Sequence, residues 1–165
     1  MRAAAATFIF ILVLAAASAA SAQGKHRAAD DSKAIQDCIK SAAPAGVSMD
    51  KAESCIGILS WPCLDDDKTK STADQNACND RERVVWDDIL NETYRRLGEK
   101  LDQAQQAKLR AMQRAWIAAR DATCQFYWDY YQGTMASPMA AACVNKETAR
   151  RALFLLGFLL EADNK

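Results

Sequence analysis

The sequence predicts an all-α protein: a small helical bundle, stapled by disulfides and built around a long antiparallel helix hairpin. Three observations carry this expectation. Apolar residues recur at helical spacing along most of the chain, and the alternation that marks a half-buried strand is absent. Capping-box patterns stand where two long helices should open, at Thr72-Ala73-Asp74-Gln75 and Asp102-Gln103-Ala104-Gln105. The six cysteines, an even number, all follow a leader-like N-terminus.

From the N-terminus, Arg2 is followed by an apolar run, Thr7 to Ala17, and then by the small-x-small pattern Ala20-Ser21-Ala22. That order reads as a signal peptide over 1–22, with the mature chain starting at Gln23. A bilayer-spanning helix needs about 20 apolar residues, more than this run supplies. Gln23, not a Cys, stands at the expected cleavage point, so lipoprotein processing has nothing to modify. Cleavage removes Arg2 alone among the charged residues, so 21 basic and 21 acidic groups become 20 and 21. The expected product is nearly neutral and water-facing, periplasmic or secreted, with no membrane anchor left after cleavage.

Residues 32–43 carry Ile35, Cys38 and Ile39 at helical spacing, and Pro44-Ala45-Gly46 breaks the pattern. Ser48 is placed to cap a short helix from Met49 to about Leu59, ending before Trp61-Pro62. The polar run Cys63 to Ser71 reads as a loop. The first long helix opens at the Thr72 box, with Cys78, Val85, Ile89, Leu97 and Leu101 on one stripe and Trp86, Leu90 and Tyr94 widening it. The second starts near Gln103, runs Leu109, Met112, Trp116, Thr123, Tyr127 and Tyr130 along its face, and stops at Gly133. A loop over 133–138 follows. A last helix from about Lys146 holds the apolar run Ala152 to Leu160 and completes the bundle.

In an exported chain six cysteines read as three disulfides. Fifteen pairings are open. Sequential pairing of Cys38 with Cys55, Cys63 with Cys78, and Cys124 with Cys143 is expected on local grounds, since each closes one short loop. A zinc site is disfavoured: no two cysteines are spaced C-x-x-C and the single histidine, His26, lies near the mature start.

Composition argues against several functions. Balanced charge lacks the Lys/Arg excess that phosphate neutralisation requires, so no nucleic-acid partner is expected. One histidine, no phosphate loop and no nucleophile-base arrangement point to a non-enzyme without metal or cofactor. Asp65-Asp66-Asp67 lacks the alternation and glycine of a calcium loop. Glu53, Glu82, Asp87 and Asp88 offer paired carboxylates, but a glycosidase also needs a sugar-sized cleft.

The order Cys78, Leu90-Asn91-x-x-Tyr94, Gln113-x-x-Trp116-x-x-x-Arg120-Asp121-x-x-Cys124, Gly133, Cys143 and Thr148-x-x-Arg151 resembles the N-terminal domain of LprI-type lysozyme inhibitors, small exported bacterial domains. The resemblance covers about 63–155 and differs from the family pattern at Ala119 and at Gly133-Thr134. It divides the chain into a signal peptide (1–22), a helical N-terminal extension (23–62) and an LprI-like domain (63–165). It implies a protein that occludes a lysozyme cleft. The 133–138 loop, with Gly133, Thr134 and Ser137 held between Cys124 and Cys143, is the expected contact.

Trp116, Arg120, Asp121, Thr148 and Arg151 read as a structural network in which Arg120, bordering the apolar face, takes Glu82 or Asp88 across the hairpin, or Thr148, because a buried charge needs a partner. Asp121, adjacent to it, is not expected to share its helical face. The alternative function is a non-catalytic envelope adaptor that binds another envelope protein through Trp61, Phe126, Tyr127, Trp128, Tyr130 and Tyr131. Five aromatics in the six positions from Phe126 to Tyr131 cannot all face one core.

Overall fold

A computed structural model describes residues 27–44 and 49–164. The signal segment, its cleavage point, His26 and the Ser48 cap lie outside the described residues. The chain divides into two compact units, 1–34 and 35–165. Of the first, residues 27–34 are helical. The second opens with α1 (residues 35–42) and continues through a 3-10 turn (Met49–Cys55), α2 (Ser60–Leu64), α3 (Thr72–Glu99), α4 (Gln103–Tyr131), a 3-10 turn (Gly133–Met135) and α5 (Ala136–Asp163). There is no strand among the described residues.

The first long helix is capped one residue earlier than the sequence pattern suggested. Ser71 is the N-cap, its hydroxyl accepting from the Asp74 amide at 3.1 Å while the Asp74 carboxylate accepts from the Ser71 amide at 3.1 Å. Hydrogen bonds from Ser71, side chain first and backbone second, hold the Asp74 carboxyl below its ordinary range. A carboxylate at this position also complements the positive end of the helix, an advantage the expected Gln75 lacks. The second box forms as read, Asp102 accepting from the Gln105 amide at 2.8 Å and Gln105 accepting from the Asp102 amide at 3.0 Å.

Two proline-containing segments expected outside helices are helical. Pro62 lies in α2 and Pro138 in α5, each the third residue of its helix. In a first turn the backbone N–H has no intrahelical acceptor, so proline's missing donor removes nothing. The loop at 133–138 therefore shrinks to a single 3-10 turn, and α5 begins ten residues before Lys146. Cys143 lies inside that helix.

The core is built chiefly where α5 lies along α3: Trp86, Leu90 and Leu97 meet Ala149, Ala152, Leu155 and Leu159. Ile35 and Ile39 of α1 and Ala52 and Cys55 of the first turn join the same cluster. Alanines at 149 and 152 remove side-chain bulk and let the helices approach closely. The chain does reverse between α3 and α4 through three residues, yet the direct seam expected between them gives way to α5, which packs on both. Leu109 and Cys124 are the buried residues of α4, and Met112 and Trp116 are partly buried on the core. Farther along the expected stripe, Thr123 and Tyr130 are exposed.

The disulfides pair sequentially, Cys38–Cys55, Cys63–Cys78 and Cys124–Cys143, with Cα separations of 5.8, 5.6 and 5.5 Å. No described cysteine is free. No helix among the described residues is long and apolar enough to cross a membrane.

Candidate functional site

Two features face outward from this frame. The first is the corner joining α4 to α5. Gln132 and Gly133 take positive φ in succession, 41° and 78°, and reverse the chain in two residues. Glycine tolerates the second value without strain, whereas Gln132 carries a Cβ and takes a φ that such residues rarely adopt. Below the corner the Cys124–Cys143 bridge ties α4 to α5, and the Asn76 amide of α3 donates to the Ser137 hydroxyl at 2.6 Å. Gly133 and Thr134 are thus exposed at the tip, while Ser137 is a tether to α3 rather than a free hydroxyl.

Aromatic rings surround the tip. Tyr130 is 69% and Phe126 61% exposed. Tyr127 and Tyr131 stack at 5.8 Å, Phe126 and Tyr130 lie 6.0 Å apart, and Tyr130 meets Tyr131 edge-on at 5.1 Å. These rings border a shallow depression of about 420 Å³. The i, i+4 ring pairs pre-order the side chains along α4, as helical neighbours do.

The second feature is centred on Trp116. Arg120 lies over its ring at 4.9 Å and Arg151 at 5.5 Å, and Arg151 also lies over Phe154 at 5.1 Å. Arg151 Nε donates to Gln113 Oε1 at 2.9 Å. Burial pushes the Arg151 guanidinium down from the ordinary arginine value. Thr148 is buried and its hydroxyl has no partner, so it joins the cluster by position alone.

The expected partner of Arg120 is corrected. Its guanidinium donates to the adjacent Asp121 through Nε at 2.9 Å and Nη2 at 2.7 Å, because a long stem lets the fork fold back along the surface. Glu82 is used elsewhere and Asp88 is exposed. An ion pair with an exposed Asp121 contributes little, and the ring contact adds about 1 kcal/mol at most. Arg120→Ala is therefore expected to lower stability by less than about 1.5 kcal/mol in chemical denaturation; a loss above 3 kcal/mol would restore the buried-pair reading.

Glu82 was legible in outline and missed in role. It falls four residues after Cys78 and four before Trp86, on the buried stripe, where a carboxylate requires donors. It accepts from the amides of Gly57, Leu59 and Ser60 at 2.7, 2.9 and 2.8 Å, and from Trp86 Nε1 and Asn145 Nδ2 at 3.0 and 3.3 Å. It thereby locks the 57–60 turn to α3 and α5. Gly57 has φ +102°, and a Cβ there would stand 2.3 Å from the Trp61 ring, so this position requires glycine. Among the described residues no cluster of His, Cys, Asp and Glu suits a metal ion.

Fold and outward features together define a small disulfide-tied helical module that presents an aromatic corner and an arginine-flanked tryptophan. The chain belongs to the lysozyme inhibitor LprI family, which it matches over residues 63–155. That span runs from Cys63 of α2 to the core leucine Leu155 of α5 and contains two of the three disulfides. Among curated proteins and among solved structures nothing matches the chain.

Proposed function

We propose that this is an exported lysozyme-inhibitor-like binding protein that occludes the cleft of a lysozyme with its α4–α5 corner, acting in the periplasm or outside the cell after removal of residues 1–22. The carrying observation, beside family membership, is the exposed corner at 130–135, with Thr134 exposed within it and the Cys124–Cys143 bridge tying the two helices that it joins. A lysozyme cleft is lined by two carboxyl groups that bracket the sugar. The Gln132 amide and Thr134 hydroxyl are donors of the right kind for them, and Tyr130 and Tyr131 supply ring area of the sort that dominates binding energy at interfaces. A pre-ordered corner loses little conformational entropy on docking. Charge contributes little steering, since the mature chain is nearly neutral.

Turbidimetric lysis of cell walls by a panel of lysozymes, with the mature protein added, tests this. Slowing should follow dose, and Tyr130→Ala with Thr134→Ala should weaken it by about 30-fold or more at unchanged melting temperature, the scale of losing one interface hot spot. No slowing and no binding to any lysozyme would reject the reading. The same exposed rings, with Trp61 61% and Trp128 46% exposed, favour the second reading, an envelope adaptor that docks another protein through this aromatic surface without inhibiting lysozyme.

A further inference from the structure

Along α5, Ala136 at the corner and Arg151 are fifteen residues apart, roughly 22 Å at the rise of an α-helix. Arg151 lines a groove of about 420 Å³ formed by α5, Trp116 of α4 and the turn at Met49–Cys55. Its guanidinium is an unusual resident. Arg151 is only 8% exposed, yet no carboxylate pairs with it among the described residues, and its one hydrogen bond is to the neutral Gln113 amide oxygen. Nη2 is buried with no partner. Burying a cation without a counterion is costly, and the rings of Trp116 and Phe154 offset only part of that cost.

The acidic groups of the groove do not serve it. Glu53 and Glu147 both go to Arg150, at 3.3 and 3.4 Å, and Asp50 is exposed. Arg120, the other cation on the Trp116 ring, is answered by Asp121. Of these three arginines, Arg151 is the one with no carboxylate partner among the described residues. With Nε committed to Gln113 and Nη2 enclosed, Nη1 is the donor left in reach of the groove, and a charge-assisted bond to an anionic oxygen is the contact that would answer it. Beside it Phe154, 47% exposed, offers an apolar wall together with Met49 and Gly157.

We propose that this groove is a carboxylate-binding site, in which Nη1 of Arg151 takes the anionic group and Phe154 receives a small apolar body attached to it. The site is separate from the corner assigned to lysozyme and does not depend on that assignment. The carboxylate can belong to a free organic acid or to the C-terminus of a peptide, and the test separates the two.

The full mature chain is titrated with benzoate and benzamide, and with acetyl-alanyl-alanine as the free acid and as its amide, while the Arg151 Nε–H and Trp116 indole resonances are followed by NMR. Both resonances should move and saturate with the acids in the millimolar range, and the amides should bind about tenfold more weakly or worse. Tighter binding of the peptide acid identifies a chain terminus as the natural occupant; tighter binding of benzoate identifies a free acid. Arg151→Lys keeps the charge but loses the Nε bond to Gln113 that aims Nη1 at the groove, and should weaken the acids about tenfold. If that variant does not fold, the acid-against-amide comparison on the native chain decides. Equal shifts from acid and amide, shifts confined to residues away from Arg151, or none at about 50 mM acid would overturn the site.

Discussion

Glu82→Ala is expected to destabilise the protein by about 3 to 5 kcal/mol, the range for stripping a buried charged group from its partners. Thermal unfolding followed by circular dichroism should show a melting temperature lower by roughly 10 to 15 °C. The reason is the number of donors left behind. Three amides at the opening of α2, the Trp86 indole and the Asn145 amide all point at one fully buried carboxylate. Removing it leaves five donors in a space closed to water. Glu82→Gln should recover only part of the loss, because its Nε2 would face amide donors where an oxygen now accepts. Loss of helix is not expected in the folded remainder, so the spectrum below the transition should be unchanged. A shift of less than about 3 °C for the alanine variant would mean that water or a rearranged turn replaces the carboxylate.

Replacing both Cys124 and Cys143 by serine is expected to cost about 2 to 5 kcal/mol, with the loop-entropy model near 3 for a loop of this size. The bridge joins α4 to α5 where α4 otherwise contributes little to the core. The loss should therefore be local as well as global. Amide exchange should accelerate most in residues 124–143 and least in the α3–α5 seam, because local opening follows the density of buried contacts. Uniform acceleration across the chain would show that the bridge acts on the whole fold instead. In the lysis assay the serine pair should also weaken any inhibition, since the corner would have to be ordered on binding.

Much of this architecture was legible beforehand, and the failures have physical causes. Helical periodicity and the Asp102 box located α3 and α4 because both are local signals, set by which side chains lie three or four residues apart. Pro62 and Pro138 misled because proline breaks a helix only beyond its first turn, and where the first turn falls depends on neighbours the pattern does not name. The seam between helices misled for another reason. The wide apolar faces of α3 and α4 say that each buries something, but not that α5, with alanines at 149 and 152, comes closer to α3 than α4 does.

The candidate sites divide in the same way. Gly133 was recognisable as a helix stop and proved to need positive φ. Ser137 looked like a free hydroxyl because its partner, Asn76, is sixty-one residues away. Arg120 looked like a buried charge and turned to Asp121, since a flexible stem near the surface takes the nearest carboxylate. Arg151 could be named as a motif residue, but not as a cation without a counterion.

By itself the sequence determined an all-α class, the two long helices, the family and the cysteines available for bridging, because each depends on residue type and short-range spacing. Tertiary structure alone decided which helix α3 packs against, that Glu82 holds the 57–60 turn, and that Arg151 faces a groove with its charge unanswered. Those outcomes depend on which distant groups arrive together, and burial then penalises every donor and charge that arrives without a partner.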